Sequence, residues 1–298
     1  MIATVMPSKS FLFFALCAAL PVAALAAADS ISALEKATAR PAEGISDNSF
    51  LIEEAYNQEA GVVQHILNVV HTVTRHSGAD DRDLSFVFTQ EWPAFSQTHQ
   101  LSYTLPYTFL EAGGTSANGL GDILLNYRYQ VWMETETRPA FAPRISLILP
   151  TGDETKGLGN GTVGYQINLP VSKIVSDRWT LHGNAGATFL PDVSGHDLIS
   201  YNLGASAIYA VSANFNLMLE SVANFDQGVN DFGRTERTVS AVISPGVRYA
   251  FNHPGDAQTV IGIAVPIGIT SPAPDYGVFL YASFEHFFFR PKTRGVGK

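Results

Sequence analysis

Between His99 and Met133 the chain alternates with a period of two, and that alternation limits the fold more than any other feature. From His99 to Phe109 the odd positions read His, Leu, Tyr, Leu, Tyr, Phe, while Gln100 to Thr108 supply Gln, Ser, Thr, Pro, Thr on the even ones. After a glycine-rich break the pattern returns, with Gly121, Ile123, Leu125, Tyr127, Tyr129, Val131 and Met133 opposed by Asp122, Leu124, Asn126, Arg128, Gln130, Trp132 and Glu134. Successive side chains on a strand point to opposite faces, so this is a hairpin with one oily and one wet face. Each arm is long for a globular strand and matches what a tilted strand needs to cross a bilayer. The expected fold is an all-β, single-chain, transmembrane antiparallel β-barrel.

The N-terminus fits export. Lys9 is the only charge before the apolar run Phe11 to Leu20, which ends in small residues over Ala23–Ala28. This is the layout of a cleaved signal peptide over residues 1–28. Cys17, the single cysteine, lies inside it, so the mature chain has no disulfide or thiol chemistry. Losing Lys9 takes the net charge from −9 to −10, which excludes a basic nucleic-acid surface. No later segment has 18 consecutive apolar residues, yet 46% of the chain is hydrophobic and only 15% charged. Such a chain either buries its oily parity in a soluble sandwich or shows it to lipid.

Residues 29–61 are the least regular. A short helix fits Ser30 to Ala39, and Pro41 would stop it. The rest reads as a free periplasmic leader, with a segment tucked into the barrel as the alternative. From residue 62 to 288, about twelve strands can be placed, at 62–73, 84–92, 98–110, 121–133, 139–150, 162–175, 179–190, 200–211, 215–226, 237–251, 257–268 and 276–288. Connections after even-numbered strands are short. Those after odd-numbered strands are mostly long, as at Glu111–Leu120, Thr151–Gly161, Pro191–Ile199 and Gln227–Glu236. Short periplasmic turns and longer extracellular loops on an even strand count are the outer-membrane pattern. Aromatic residues also gather near the strand ends, Tyr107, Phe109, Tyr165, Tyr201 and Tyr276 at one rim and Tyr129, Trp179, Tyr249 and Phe251 at the other. A one-residue slip of the fourth strand would turn Arg128 towards lipid, at roughly 2–4 kcal/mol near the midplane. The last strand ends in aromatics, like the assembly signal of outer-membrane proteins, but residues 289–298 extend beyond it as a periplasmic tail.

Several blocks resemble a family of outer-membrane proteins linked to the meta-pathway of phenol degradation. They are Tyr56-Asn-Gln-Glu-Ala-Gly-Val-Val-Gln-His65, Phe88-Thr-Gln-Glu-Trp-Pro93, Ser96-Gln-Thr-His-Gln-Leu101, Gly119-Leu-Gly-Asp122 and Leu149-Pro-Thr-Gly-Asp153. The resemblance implies an outer-membrane barrel that transports small molecules, with aromatic ones as candidates, and it assigns no functional residue.

The inward parity is the candidate site: Gln100, Asp122, Asn126, Arg128, Arg144, Gln166, Asn168, His182, Asn184, Asn216, Glu220, Asn224, Arg248 and Glu285. These residues would line a permeation path, or the arginines would pair with Asp122, Glu220 and Glu285 and rivet the lumen shut. A barrel of about twelve strands lies between small filled ones and large water-holding ones. Gly262, Ala264 and Gly268 on the eleventh strand favour free space. Gly159-Asn-Gly-Thr-Val-Gly164 matches G-x-G-x-x-G, but a strand follows where a dinucleotide site needs a helix. His196, Asp197 and Ser200 raise a lipid-hydrolase alternative, though their spacing does not secure a nucleophile–base contact. Asp80, Asp81, Asp83, Asp153 and Glu154 read as solvated loop charge, and His65, His71 and His99 are too scattered to ligate a metal. The expectation is therefore a non-enzymatic outer-membrane channel without cofactor or metal. Its partners would be outer-membrane lipid and lipopolysaccharide, the barrel assembly machinery and a small solute.

Overall fold

A computed structural model describes residue 45, residues 47–230 and residues 232–289. The signal peptide, the helix expected over 30–39 and the tail from residue 290 lie outside the described residues.

Twelve antiparallel strands close into a ring. In chain order they are β1 (Val62–Thr74), β2 (Asp81–Ala94), β3 (Ser96–Ala112) and β4 (Thr115–Leu120 with Ile123–Tyr129). Then come β5 (Ala140–Phe141 with Arg144–Leu149), β6 (Gly164–Asn168 with Val171–Ile174), β7 (Trp179–Val193) and β8 (His196–Ser212). The ring ends with β9 (Phe215–Val229), β10 (Thr235–His253), β11 (Ala257–Ala264 with Ile267–Gly268) and β12 (Tyr276–Phe287). Each strand pairs with its sequence neighbours, and β12 returns to β1 from Val62↔Phe287 to Val73↔Tyr276. Closure leaves no unpaired edge, which hydrocarbon would penalise heavily.

Three strands expected to be continuous are split, each at a proline: Pro143 in β5, Pro170 in β6 and Pro266 in β11. Proline has no N–H for the ladder, so pairing lapses there and then resumes. Neighbouring donors keep the barrel shut across the gaps, as where Leu169 N donates to Ala185 O (2.8 Å) and Val265 N to Pro245 O (3.0 Å).

The oily parity faces outward. Leu101, Tyr107, Leu125 and Tyr129 are exposed on the barrel's outside, whereas Gln100, Ser102, Asn126 and Gln130 are buried inside it and Arg128 is only 2% exposed. Outward aromatics meet across and along strands near each rim. Tyr165 lies opposite Phe189 and Tyr201 opposite Phe225 at one, while Trp179 stacks near Tyr209 (5.0 Å) and Tyr249 near Phe251 (4.9 Å) at the other.

The loops depart from expectation. Glu111–Leu120 and Pro191–Ile199 are not long loops but strand extensions ending in two-residue turns at Gly113–Gly114 and Ser194–Gly195. All four turn residues have positive φ (58°, 79°, 51° and 82°), the backbone that matches strand twist in a tight hairpin. Glycine-rich composition suggests a long loop, but here it reports backbone handedness. Conversely, the connection between β4 and β5 at the opposite rim spans residues 130–139, longer than expected.

The ambiguous first strand has a physical reason. Ile66 and Val70 point inward, where they pack against Phe50, so β1 needs apolar residues on both faces.

Candidate functional site

Residues 47–60 fill the half of the lumen nearest the turn at Phe95. The expectation for this stretch is a free leader, but the contacts are those of the alternative, a segment tucked into the barrel as a plug. The segment makes a circuit of the inner wall. Asp47 accepts from Tyr281, Ser283 and Gln64 on β12 and β1, and Arg248 of β10 donates to the carbonyls of Asp47 (2.8 Å) and Asn48 (2.7 Å). Leu51 and Ile52 N–H groups donate to Glu220 Oε1 on β9. Asn184 Oδ1 on β7 accepts from Glu53 N, and Ser172 Oγ on β6 accepts from Ala55 N. Gln130 Oε1 then receives Asn57 N, and Gln100 Oε1 receives Gln58 N (2.7 Å), which brings the chain back to β1. An irregular segment has no ladder to satisfy its backbone, so the inward polar side chains take that role.

Charge centres on Glu53. Arg128 and Arg144 are direct cross-strand partners, and two like charges so placed repel. Glu53 lies between them, 3.2 Å from Arg128 and 2.8 Å from Arg144, and Glu91 adds a second contact to Arg128 at 3.6 Å. Arg128 also donates to Asn57 Oδ1 and to the carbonyls of Glu54 and Tyr56. For Arg128 and Arg144 this replaces the alternative in which they pair with acids of the strands. Those pairs were drawn among strand residues alone, whereas the counter-charge comes mostly from the plug.

Glycines shape the wall to receive it. A Cβ on Gly262 would lie 2.2 Å from the Phe50 ring, and one on Gly204 would lie 2.3 Å from Ile52 Cδ1. The space inferred from Gly262 and Ala264 is therefore occupied by Phe50, which stacks on Phe279 at 5.4 Å and meets Tyr281, tilted, at 5.1 Å. Gly268 faces its own loop, where Pro274 O would be 2.2 Å from a Cβ.

Above the plug the lumen divides. On the β5–β10 side it is filled by Ile148, Leu190 and Leu198 and by Ile52, Val222, Val242 and Ala273. On the β1–β5 side a cavity of about 330 Å³ remains. Phe50 to Glu53 form its floor, and Val70, Val87, Thr89, Thr104, Leu124 and Tyr281 are among its walls. Threonine and serine pairs such as Thr89–Thr104 (3.0 Å) and Ser85–Thr108 (2.9 Å) satisfy one another along the wall.

The outer end of the cavity belongs to the loop over residues 150–163. Asp122 has the inward register, but its carboxylate holds this loop, accepting from Gly152 N (3.0 Å), Asn160 N (2.8 Å) and Asn160 Nδ2 (2.8 Å). Thr151 Oγ1 donates to Gly121 O and accepts from Ile123 N. Gly152 and Gly159 cross so closely that a Cβ on Gly159 would lie 2.5 Å from Asp122 Oδ1. The G-x-G-x-x-G run is thus a packing motif. In the same loop, Lys156 hydrogen-bonds Asp153 and, with Thr155, holds its exposed carboxyl down to about 2.

The other inward residues also have structural partners. Asn126 Oδ1 and Gln166 Oε1 accept from Arg144, and Asn168 Nδ2 donates to Glu53 (2.6 Å). Ser172 Oγ, which accepts from Ala55 N, also shares a hydrogen bond with His182 Nδ1 (2.7 Å). Asn216, with its amide oriented to suit the network, accepts from Arg248 Nε. Asn224 is buried opposite Asn202, and Glu285 is half-buried opposite Gln64.

His196, Asp197 and Ser200 are not brought together. Four residues along a strand span about 13 Å. His196 Nε2 bonds Gly233 O, Asp197 accepts from Asp192 N, and Ser200 Oγ accepts from Gln227 N. Among the described residues no group of three or more His, Cys, Asp or Glu side chains is placed to hold a metal ion.

Asp47, Glu53, Glu91, Asn57, Gln58 and Leu158 were missed as site residues. A signal was present for some of them. The blocks carrying the family resemblance contain Asn57, Gln58, Gln64 and Gln100, all plug contacts or plug residues, and Glu91, which contacts Arg128 beside the plug; the remaining two blocks form the Asp122 loop clamp.

Residues 53–275 match the family model described as "Putative MetA-pathway of phenol degradation". The chain belongs to that family. Among solved structures it is similar to the COG4313 outer membrane channel from Pseudomonas putida F1, at 14% identity and a TM-score of 0.59 over 81% of this chain and 99% of that one. The translocator domain of autotransporter NalP from Neisseria meningitidis aligns at 12% identity, TM-score 0.48, over 89% and 99% of the two chains. The NanC porin aligns at 10%, TM-score 0.45, over 74% and 98%. At these identities the likeness is one of fold, that of an outer-membrane β-barrel. No curated protein matches the sequence.

Proposed function

We propose that this family member is an outer-membrane channel for the uptake of small solutes with an apolar or aromatic part. The observation that carries the reading is the 330 Å³ cavity inside a lipid-facing ring, between the plug and the outer loop. Its size suits a single-ring molecule. Its wall mixes rings and methyls (Phe50, Phe279, Val70, Leu124) with hydroxyls (Thr72, Thr104, Thr108), the usual composition of a small-molecule site. The COG4313 neighbour is described as an outer membrane channel, which supports the same class. In this reading the cavity is the outer part of the route, and residues 47–58 stand across the inner part and must shift for a solute to pass. Gln100, Asn168, Asn184, Glu220 and Arg248 then hold the plug, and line the path only after it moves.

The protein acts without enzymatic chemistry in this reading, exported through its signal peptide and inserted by the barrel assembly machinery among lipid and lipopolysaccharide. The lipid-hydrolase alternative needs Ser200 and His196 within hydrogen-bond reach, and their bonds run elsewhere. The test is conductance of the purified barrel in planar bilayers together with single-ring solute uptake by cells with and without the gene. Current from the barrel and slower uptake in the deletion strain are expected. A silent barrel and unchanged uptake would reject the proposal.

A further inference from the structure

Leu158 differs from its surroundings. It belongs to a long outer loop whose Glu154, Thr155 and Lys156 are exposed, yet it is only 8% exposed itself. Gly157, in the left-handed region at φ 71°, ends the short 3₁₀ turn Glu154–Lys156 and reverses the chain so that Leu158 turns inward. Its Cδ1 would lie 3.0 Å from a Cβ on Gly119, and it lines the same cavity as Phe50. The loop is not free to wander. Asp122 and Thr151 clamp its base, Leu158 N donates to Asp153 O (3.0 Å), and the Gly152–Gly159 crossing closes it.

We propose that Leu158 is the specificity-determining residue of the outer mouth: a fixed apolar shutter that resists water and hydrated ions and admits solutes presenting an apolar face. This rests on the channel reading and deepens it. An apolar constriction disfavours the water that an ion or a sugar must bring along. A ring passing the same point replaces water on the leucine methyls and gains by it. The clamp makes this a property of one side chain, because the backbone carrying it is held by a carboxylate, a hydroxyl and two glycines.

The experiment uses the full-length barrel in liposomes and planar bilayers. It compares permeation of benzyl alcohol with that of xylose, and records KCl conductance, for the native protein, Leu158→Met and Leu158→Asn. Native protein should favour benzyl alcohol, and Met, apolar and of similar volume, should keep that ratio. Asn should lower it about tenfold and raise KCl conductance at least about twofold. Leu158→Ala, which removes bulk without adding polarity, should raise conductance while changing the ratio less than Asn, and it serves if the Asn variant fails to fold. An unchanged ratio and conductance in Asn and Ala alike overturn the proposal. So does an equal loss of ratio in Met and Asn, which would make Leu158 a loop anchor. A native protein that passes neither solute nor ions refutes the channel reading instead.

Discussion

The two ends of the lumen are built from the same strands but solve different problems. Towards the Phe95 turn the interior is crossed by residues 47–60, and nearly every inward polar side chain bonds to that segment. Towards the Leu158 loop the wall residues on β1–β5 bond mainly to one another and surround a cavity. The difference teaches that inward side chains alone do not fill a ring of twelve strands. Where the chain supplies a segment of its own, the lumen is packed and charged groups can be buried. Where it does not, strand residues such as Ile148, Leu190 and Leu198 close one side, hollow space remains on the other, and the wall there satisfies itself through threonine and serine hydroxyls.

The largest test of this contrast is Glu53→Lys. It removes the carboxylate between Arg128 and Arg144 and adds a third cation, leaving Arg128, 2% exposed, to rely for counter-charge on Glu91 at 3.6 Å. Breaking a buried pair from one side costs about 3–5 kcal/mol. The urea unfolding midpoint in detergent should fall accordingly, with Glu53→Gln falling less. If both variants unfold with the native protein, the plug is not held by charge.

Next is Gly262→Val, whose side chain would need the place of the Phe50 ring. Overfilling a packed site costs about 1–3 kcal/mol. Expulsion of Phe50 should also raise bilayer conductance, so a stability loss with unchanged current would mean that the plug yields without opening a route.

The outer half responds differently to Asp122→Asn. Asparagine keeps the shape but loses the charge that strengthens three hydrogen bonds to the loop, and its amide nitrogen faces donors. A loss of about 1–3 kcal/mol is expected for such bonds. It should appear as protease cleavage within residues 150–163 with the barrel's unfolding midpoint nearly unchanged. A global loss as large as that of Glu53→Lys would erase the distinction between the two halves.

What was legible in the sequence follows the same division. Strand positions and facing came through because hydrocarbon imposes a period of two: Arg128 cannot face lipid, and Leu125 has no reason to face water. The plug was hard to read because a segment bonding through its backbone to distant side chains leaves no period. Glu53 looks like any acid in an irregular stretch until Arg128 and Arg144 are set opposite each other. Asp122 was assigned to the lumen by parity alone, and parity fixes where a side chain starts but not which group it reaches. Gly262 marked close approach correctly, but a missing side chain does not say whether solvent or Phe50 fills the gap. The blocks shared with the family located both the plug contacts and the loop clamp, without revealing that either was a contact.

The smallest expected effect sharpens the comparison within a single loop. Asp153 and Asp122 both hold residues 150–163, but Asp153 does so from the exposed surface through Lys156 and Thr155. Its carboxyl is depressed from near 3.8 to about 2 by those hydrogen bonds. A carboxyl lowered on folding contributes above its unfolded value and loses that contribution as pH falls through the folded one, here between about pH 4 and 2. Solvent screens such a pair, so Asp153→Asn should leave the unfolding midpoint and the loop's protease resistance where they were at pH 7. Resistance to cleavage that dropped as far as in Asp122→Asn would show the loop to be held from outside. Leu158 would then owe its inward position to the surface ion pair rather than to the buried carboxylate beneath it.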